Sequence, residues 1–386
     1  MPLEKVAIIG AGIAGLTAAL SLARVGIASD IFEEAPELLE VGAGLQVSPN
    51  ASHILGTLGI LPALEAVWTE PKRIGLVSGR TLLPISHVPV GSIARERWGA
   101  PYGVLHRATL QKVLVAAVEE NALCTLNLGS RVQAGMAEDP KTINGQTYPL
   151  VIGADGVWSA LRDHVEDGPQ PKFSGNAAWR FTMPANSVAS WLSAGDITAF
   201  VGSHAHMVVY PLKDTASVNL VAIASGINPG DVWDAKASDE QRRLLVSQFK
   251  RWNRRLIDLI EGTQDPTFWP LYQVSSGRWH NGRDIVLIGD AAHAMMPFAA
   301  QGAAMAIEDA FLLADAVSNV SSLTAALSQF QTARATRIAR VRSRGSFNRF
   351  AYHARGPVRI ARDLVLTFKP PQSLAADLDW LYGYRA

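Results

Sequence analysis

The sequence predicts an α/β fold: a Rossmann-like nucleotide-binding domain with an inserted mixed β-sheet domain and C-terminal helices. Three observations carry that prediction. Residues 6–33 read strand, glycine turn, helix, strand, acid. Two more apolar runs, within residues 148–156 and 284–290, each end in a glycine and an aspartate. Between them lies a β-rich stretch, and after Gln301 the apolar residues recur at helical spacing. The nucleotide-binding domain is therefore expected to be discontinuous, over residues 1–170 and 277–386, with a second domain over 171–276.

Each element has a local reason. Val6-Ala7-Ile8-Ile9 is an apolar run of strand length. Gly10-Ala11-Gly12-Ile13-Ala14-Gly15 follows at once. The first glycine permits a tight turn, the second lets a pyrophosphate approach the backbone, and the third lets helix and strand pack closely. A helix from Leu16 to Val25, stopped by Gly26, presents free N–H groups and the positive end of its dipole to phosphates. Glu33, 18 residues past Gly15, is placed to accept from ribose hydroxyls, with Glu34 beside it. A Gly-rich loop runs through Val41-Gly42-Ala43-Gly44 toward Val47, and Asn50 is expected to cap a helix over 51–58. Short strands are expected over 72–84, a strand over 102–106 leading into Arg107, and a helix over 109–121. Residues 124–128 and 131–134 read as paired strands, 238–259 as one helix, 301–317 as a helix and 323–350 as a long one.

Composition bounds the function classes. The 386 residues are 48% hydrophobic and 18% charged, enough to bury a large core. A net charge of +1 gives no global reason to expect nucleic acid as partner. Cys124 is the single cysteine, so an internal disulfide is excluded and a cytoplasmic setting is expected. Met1 to Lys5 run directly into the first strand, leaving no room there for a signal peptide. No uncharged apolar run reaches 18 residues, so no membrane span is predicted. No His/Cys/Asp set has metal-ligand spacing. The Arg-rich run from Arg334 to Arg362 reads as a solvated or subunit-facing helix, in a monomer or homodimer.

Taken together, Gly10-x-Gly12-x-x-Gly15 with Glu33, Gly153-Ala-Asp155-Gly156 with Ser159 and Arg162, Gly289-Asp290-Ala-Ala-His293 with Pro297, and Ala300-Gln301-Gly302 resemble one family. The chain resembles the single-component FAD-dependent aromatic monooxygenases of the para-hydroxybenzoate hydroxylase type. Phe298 to Asp309 suggests the branch of salicylate hydroxylase, 3-hydroxybenzoate 6-hydroxylase and 6-hydroxynicotinate 3-monooxygenase. The resemblance implies a Rossmann-like FAD-binding domain, with FAD as resident cofactor and NADH or NADPH as transient electron donor. Gly10, Gly12, Ala14 and Gly15 would cradle the pyrophosphate, and Glu33 and Glu34 would meet the adenosine ribose. Val47 and Arg107 would reach the FAD, Asp155 would serve FAD and the nicotinamide donor, and Asp290 would bind the ribityl chain. Pro297, Gly302 and Ala303 would line the flavin ring. His293 is expected to be a structural hydrogen-bonder.

The implied reaction is hydroxylation of a small aromatic or N-heteroaromatic acid or phenol with NAD(P)H and O₂, through a C4a-hydroperoxyflavin, with or without decarboxylation. His206 and Tyr210 stand four apart on an expected strand and so share a face. The resemblance places such a pair against the substrate phenol, where a histidine suits the phenolic proton. His204 shares that face by spacing and is an alternative. Trp179 and the apolar strands of the middle domain are expected to shelter the site from water. A reductase or epoxidase on the same scaffold, and a non-catalytic FAD-binding protein, are the rival readings.

Overall fold

The structure is a computed structural model describing residues 3–38, 44–132, 141–187, 192, 195–226, 235–263, 266–318 and 322–386. Five strands form a parallel sheet in the order Ile285–Leu287, Val151–Gly153, Lys5–Ile9, Ala28–Phe32, Cys124–Asn127. Sequence-distant strands thus lie next to each other. The apolar runs at 151–153 and 285–287 are completely buried, as a parallel sheet covered on both faces requires. The helix Ile13–Arg24 packs against Gly302–Ser318, a helix rich in small residues that allow close approach.

The second sheet has eight strands in the order Ala235–Lys236, Thr267–Val274, Pro171–Pro184, Ser217–Ser225, Ala205–Leu212, Ile197–Gly202, Arg73–Ser78, Pro84–Pro89. It reaches beyond the expected segment 171–276, because residues 73–89 supply two of its strands. Arg73–Ser78 joins it parallel to Ile197–Gly202, a pairing no local pattern announces. One face of this sheet carries a separate core with Trp179, Met207, Val209 and the helices Asp239–Phe249 and Arg254–Glu261. Trp179 therefore belongs to this core rather than to a substrate shelter. Its ring meets Phe268 edge-on at 5.3 Å.

Four local expectations are corrected. The helix over 238–259 is two helices, since Trp252 turns the chain inward: a Cβ at Gly79 or Gly202 would sit 2.4 or 2.7 Å from its ring. Asn253 caps the second helix, its Oδ1 accepting from Arg255 N at 3.1 Å. Ser48, not Asn50, stands at the N-cap of Pro49–Thr57, and Asn50 is buried inside that helix. Cys124–Asn127 forms the edge of the parallel sheet instead of pairing with 131–134, and 133–134, like 41–43, lie outside the described residues. Arg107 begins the helix Arg107–Glu119, with His106 Nδ1 accepting from Ala108 N at 3.2 Å.

Candidate active site

Three turns converge at the carboxyl ends of the parallel strands, where open α/β sheets bind their ligands. Gly10 has φ +99°, and a Cβ there would lie 2.6 Å from the Ala154 carbonyl oxygen. A Cβ at Gly15 would fall 1.9 Å from the Gly10 oxygen, so helix and turn touch backbone to backbone. Gly12 differs: a Cβ there would meet nothing within 4 Å, and the residue opens into a groove of about 460 Å³. Gly12 is also the N-cap of Ile13–Arg24 and offers no side chain to its first N–H groups. Glu33, Arg107, Asp290 and Pro297 line the same groove. Glu33 Oε2 accepts from Ala11 N at 2.8 Å and Oε1 from Ala35 N at 3.0 Å, which fixes the carboxylate at the groove wall. These features fit a dinucleotide: space over Gly12, free helix N–H groups for phosphate, and an acid for ribose.

The other expected cofactor residues are placed as follows. Ala14 packs against the Gly289 turn, where an added Cβ would lie 3.1 Å away. Glu34 is exposed and faces Arg131 at 3.6 Å. Val47 is buried, on the strand Gly44–Val47 paired with Gly103–His106. Asp155 Oδ2 accepts from Ala160 N at 2.9 Å, and burial pushes its carboxyl up from the usual range. Arg162 is buried and donates to the carbonyls of Val157 and Ala291, so it ties the second turn to the third. Gly302 and Ala303 open the helix Gly302–Ser318, with free space at Gly302.

A buried polar network holds the third turn, and the sequence reading missed it. Asp309 Oδ2 accepts from Gly289 N at 2.9 Å and meets His293 Nε2 at 2.5 Å. Arg334 donates to Asp309 Oδ1 and Glu308 Oε2, both at 2.6 Å, and Arg337 to Glu308 Oε1 at 2.9 Å. Asn50 reaches Glu308 at 2.7 Å, and Gln301 bonds Ser48 at 3.0 Å. Arg334 is fully buried and Arg337 nearly so, which removes these two from the reading of the Arg-rich run as a solvated or subunit-facing helix. The adjacent acids Glu308 and Asp309, amid apolar residues of this helix, were the available signal. His293 is structural, as expected.

Pro297 lines a second cavity as well, of about 420 Å³ and largely apolar. Its walls include Tyr102, His206, Val208, Phe298, Tyr352 and Tyr382. The helix Gly356–Phe368, none of whose residues is buried, lines one side with Val358, Val365 and Leu366. His206 is 1% exposed on the strand Ala205–Leu212. Burial, and then His353 beside it, lower its pKa well below the ordinary imidazole value. His204 does not share this place: it stands on the hairpin turn with φ +68°, which breaks the strand alternation, and its Nε2 lies 3.1 Å from Arg355. Tyr210 is buried on the same face as His206 but packs under Gly44, where an added Cβ would lie 2.5 Å from its ring. Arg344, from the long helix Leu323–Tyr352, lines the cavity and makes no ion pair among the described residues. Its Nε is buried without a partner.

A dinucleotide groove and an apolar cavity that meet at Pro297 are the arrangement of a cofactor-dependent enzyme. The family model for the FAD binding domain matches residues 4–344, and the chain belongs to that family. Within it, the chain is an FAD-dependent aromatic hydroxylase. It is 36% identical to 3-hydroxybenzoate 6-hydroxylase 1 of Aquipseudomonas alcaligenes, over 98% of each chain. It is 31% identical to 6-hydroxynicotinate 3-monooxygenase of Bordetella bronchiseptica, over 80% of this chain and 81% of the relative. The fold matches a salicylate hydroxylase substrate complex with TM-score 0.79 at 22% identity, covering 99% and 96% of the two chains. It also matches Klebsiella pneumoniae HpxO with FAD and uric acid, with TM-score 0.81 at 22% identity, covering 97% and 95%.

Proposed function

We propose that the protein hydroxylates a small phenolic aromatic acid, using NAD(P)H and one atom of O₂, with the ring seated in the 420 Å³ cavity. The observation that carries this reading is His206, a buried imidazole on the wall of an apolar cavity that shares Pro297 with the FAD groove. Relatives named for hydroxybenzoate and hydroxynicotinate oxidation support the substrate class. Bound FAD supplies the redox and oxygen-transfer chemistry.

The chain's own residues do the rest. Gly12, Glu33, Arg107 and Asp290 would hold the cofactor, and Pro297 and the backbone at Gly302 would meet its ring. Phe298, Tyr352 and apolar side chains of the Gly356–Phe368 helix give the reacting ring an apolar surround. Neutral His206 accepts the phenolic proton at Nε2, since its Nδ1 is engaged by His353. The phenolate that results is the more electron-rich ring, suited to an electrophilic oxygen donor. Arg344, an unneutralised cation in an apolar wall, pairs with a substrate carboxylate. Tyr210, packed behind Gly44, does not line the cavity and takes no part in this step. The test is a panel of hydroxybenzoates and hydroxynicotinates, scored for stimulated NAD(P)H oxidation with matching hydroxylated product. A panel in which no member stimulates oxidation would overturn the reading.

A further inference from the structure

His353 follows the last turn of the long helix Leu323–Tyr352, and its Nε2 lies 2.9 Å from His206 Nδ1. The two residues are 147 apart in sequence, and the ring centroids are 5.1 Å apart. Phe298 and Tyr352 flank His206 at 5.1 and 5.3 Å, so the pair sits in an aromatic sleeve. Among the described residues no carboxylate bonds either ring. That is unusual for a buried base, which most often has an acid behind it to fix the tautomer.

We propose that His353 is a positioning residue that stands where such an acid would, and is also the exit for the substrate proton. This rests on the reading of His206 as proton acceptor. His206 donates Nδ1–H to His353 Nε2, which leaves its own Nε2 as a lone pair on the cavity side. When the phenol O–H bond breaks, its electron pair stays on the oxygen and the proton moves to His206 Nε2. The Nδ1 proton passes to His353 Nε2, and His353 releases its Nδ1 proton to solvent. The pair resets by the reverse path, the proton on His206 Nε2 returning to the product oxygen and one from solvent replacing it.

The surroundings suit an exit rather than a store. His206 is sealed, whereas His353 is part-buried and reaches toward the surface. The ionisable groups around the pair are Arg344, Arg349 and Tyr352 on the long helix, His204 on the hairpin turn, and Arg355 bonded to His204. Burial, then Arg349 and His204, lower His353 to about 4. Neither ring therefore keeps a second proton at neutral pH, and the charge is driven outward. A carboxylate in this place would retain it.

The experiment uses FAD-loaded protein and 3-hydroxybenzoate, with stopped-flow absorbance of phenolate formation after a pH jump, and flavin reduction followed separately. His353→Ala should slow phenolate formation and hydroxylation by about a hundredfold while flavin reduction is kept, and added imidazole should restore part of the rate. His353→Gln, which retains an acceptor but cannot relay a proton, should keep KM near normal yet remain slow. Unchanged phenolate formation in His353→Ala, or a loss in both variants that imidazole does not relieve, would overturn the proposal. His206→Ala separates the two readings. If it leaves phenolate formation unchanged, the base assignment fails; if it slows the step and the His353 variants do not, only this proposal fails.

Discussion

Replacing Arg334 by methionine removes the cation at the centre of the buried network beside the Gly289 turn. The side chain donates to Glu308, to Asp309 and to the Met305 carbonyl, and all three charged groups are completely buried. Breaking a buried pair by deleting one partner costs about 3–5 kcal/mol, since the charge left behind loses both water and partner. Here the survivors keep other contacts. Glu308 retains Arg337 at 2.9 Å and Asn50 at 2.7 Å, and Asp309 retains His293 and Gly289. The low end of the range, about 3 kcal/mol, is therefore expected. Unfolding entropy of about 2.1 cal/mol/K per residue over 386 residues gives about 0.8 kcal/mol/K, so Tm should fall by about 4 °C. Because Asp309 holds the Gly289 amide, FAD should also bind more weakly. Thermal unfolding of FAD-free protein, with FAD titration by flavin fluorescence, measures both. A Tm within a degree of the parent and unchanged FAD affinity would refute the reasoning.

Further outcomes follow from the same geometry. Burial alone would raise the Asp309 carboxyl, but His293 and Arg334 bring it down to about 2. A depressed carboxyl stabilises the fold above its unfolded value of about 3.9, so this share of stability should be present above about pH 4 and vanish between pH 4 and 2 in acid titrations followed by circular dichroism. Gly12→Ala should fold normally, as a Cβ there meets no protein atom, yet lose FAD affinity at least tenfold in titration, whereas Gly15→Ala should fail to fold because its Cβ meets the Gly10 oxygen at 1.9 Å. Arg344→Gln should raise KM for a hydroxybenzoate by about 10- to 100-fold and leave the corresponding carboxyl-free phenol unaffected, which initial-rate kinetics would check. His206→Ala should slow hydroxylation by about a hundredfold or more and divert reducing equivalents to peroxide, while flavin reduction stays near normal; unchanged coupling would remove His206 from its role.

The nucleotide half was legible because its constraints are local. Gly15 is set by its contact with the Gly10 oxygen within one turn, Gly12 by the space a ligand needs there, and Glu33 by the length of one helix and strand, although the neighbour that excludes a Cβ at Gly10 is Ala154, far along the chain. The apolar runs ending at Gly153 and Gly289 were legible as buried strands, since parallel strands carry apolar residues on both faces. Distant pairings were not. Nothing near Arg73–Ser78 announces that it lies beside Ile197–Gly202, and Trp252 breaks a helical pattern through contacts with Gly79 and Gly202 far along the chain. Alternation placed His206 and Tyr210 on one face, yet could not show that Tyr210 is packed behind Gly44 or that the turn at His204 ends the alternation. Arg334, Arg337 and Arg344 looked alike in a run of basic residues. Their partners across the fold separate two structural cations from one on the cavity wall. His353 had no partner in sequence, because its partner lies on a strand of the other sheet.

The central claim is that this chain moves one oxygen atom from O₂ onto a phenolic ring bound beside the FAD. Turnover of FAD-loaded protein with NADH or NADPH and 3-hydroxybenzoate under ¹⁸O₂, with mass analysis of the product, tests it most directly. The account predicts a hydroxylated product carrying one labelled oxygen per ring and NAD(P)H consumed in equal amount. Product without label, or NAD(P)H oxidised with no oxygen entering the ring, would contradict it.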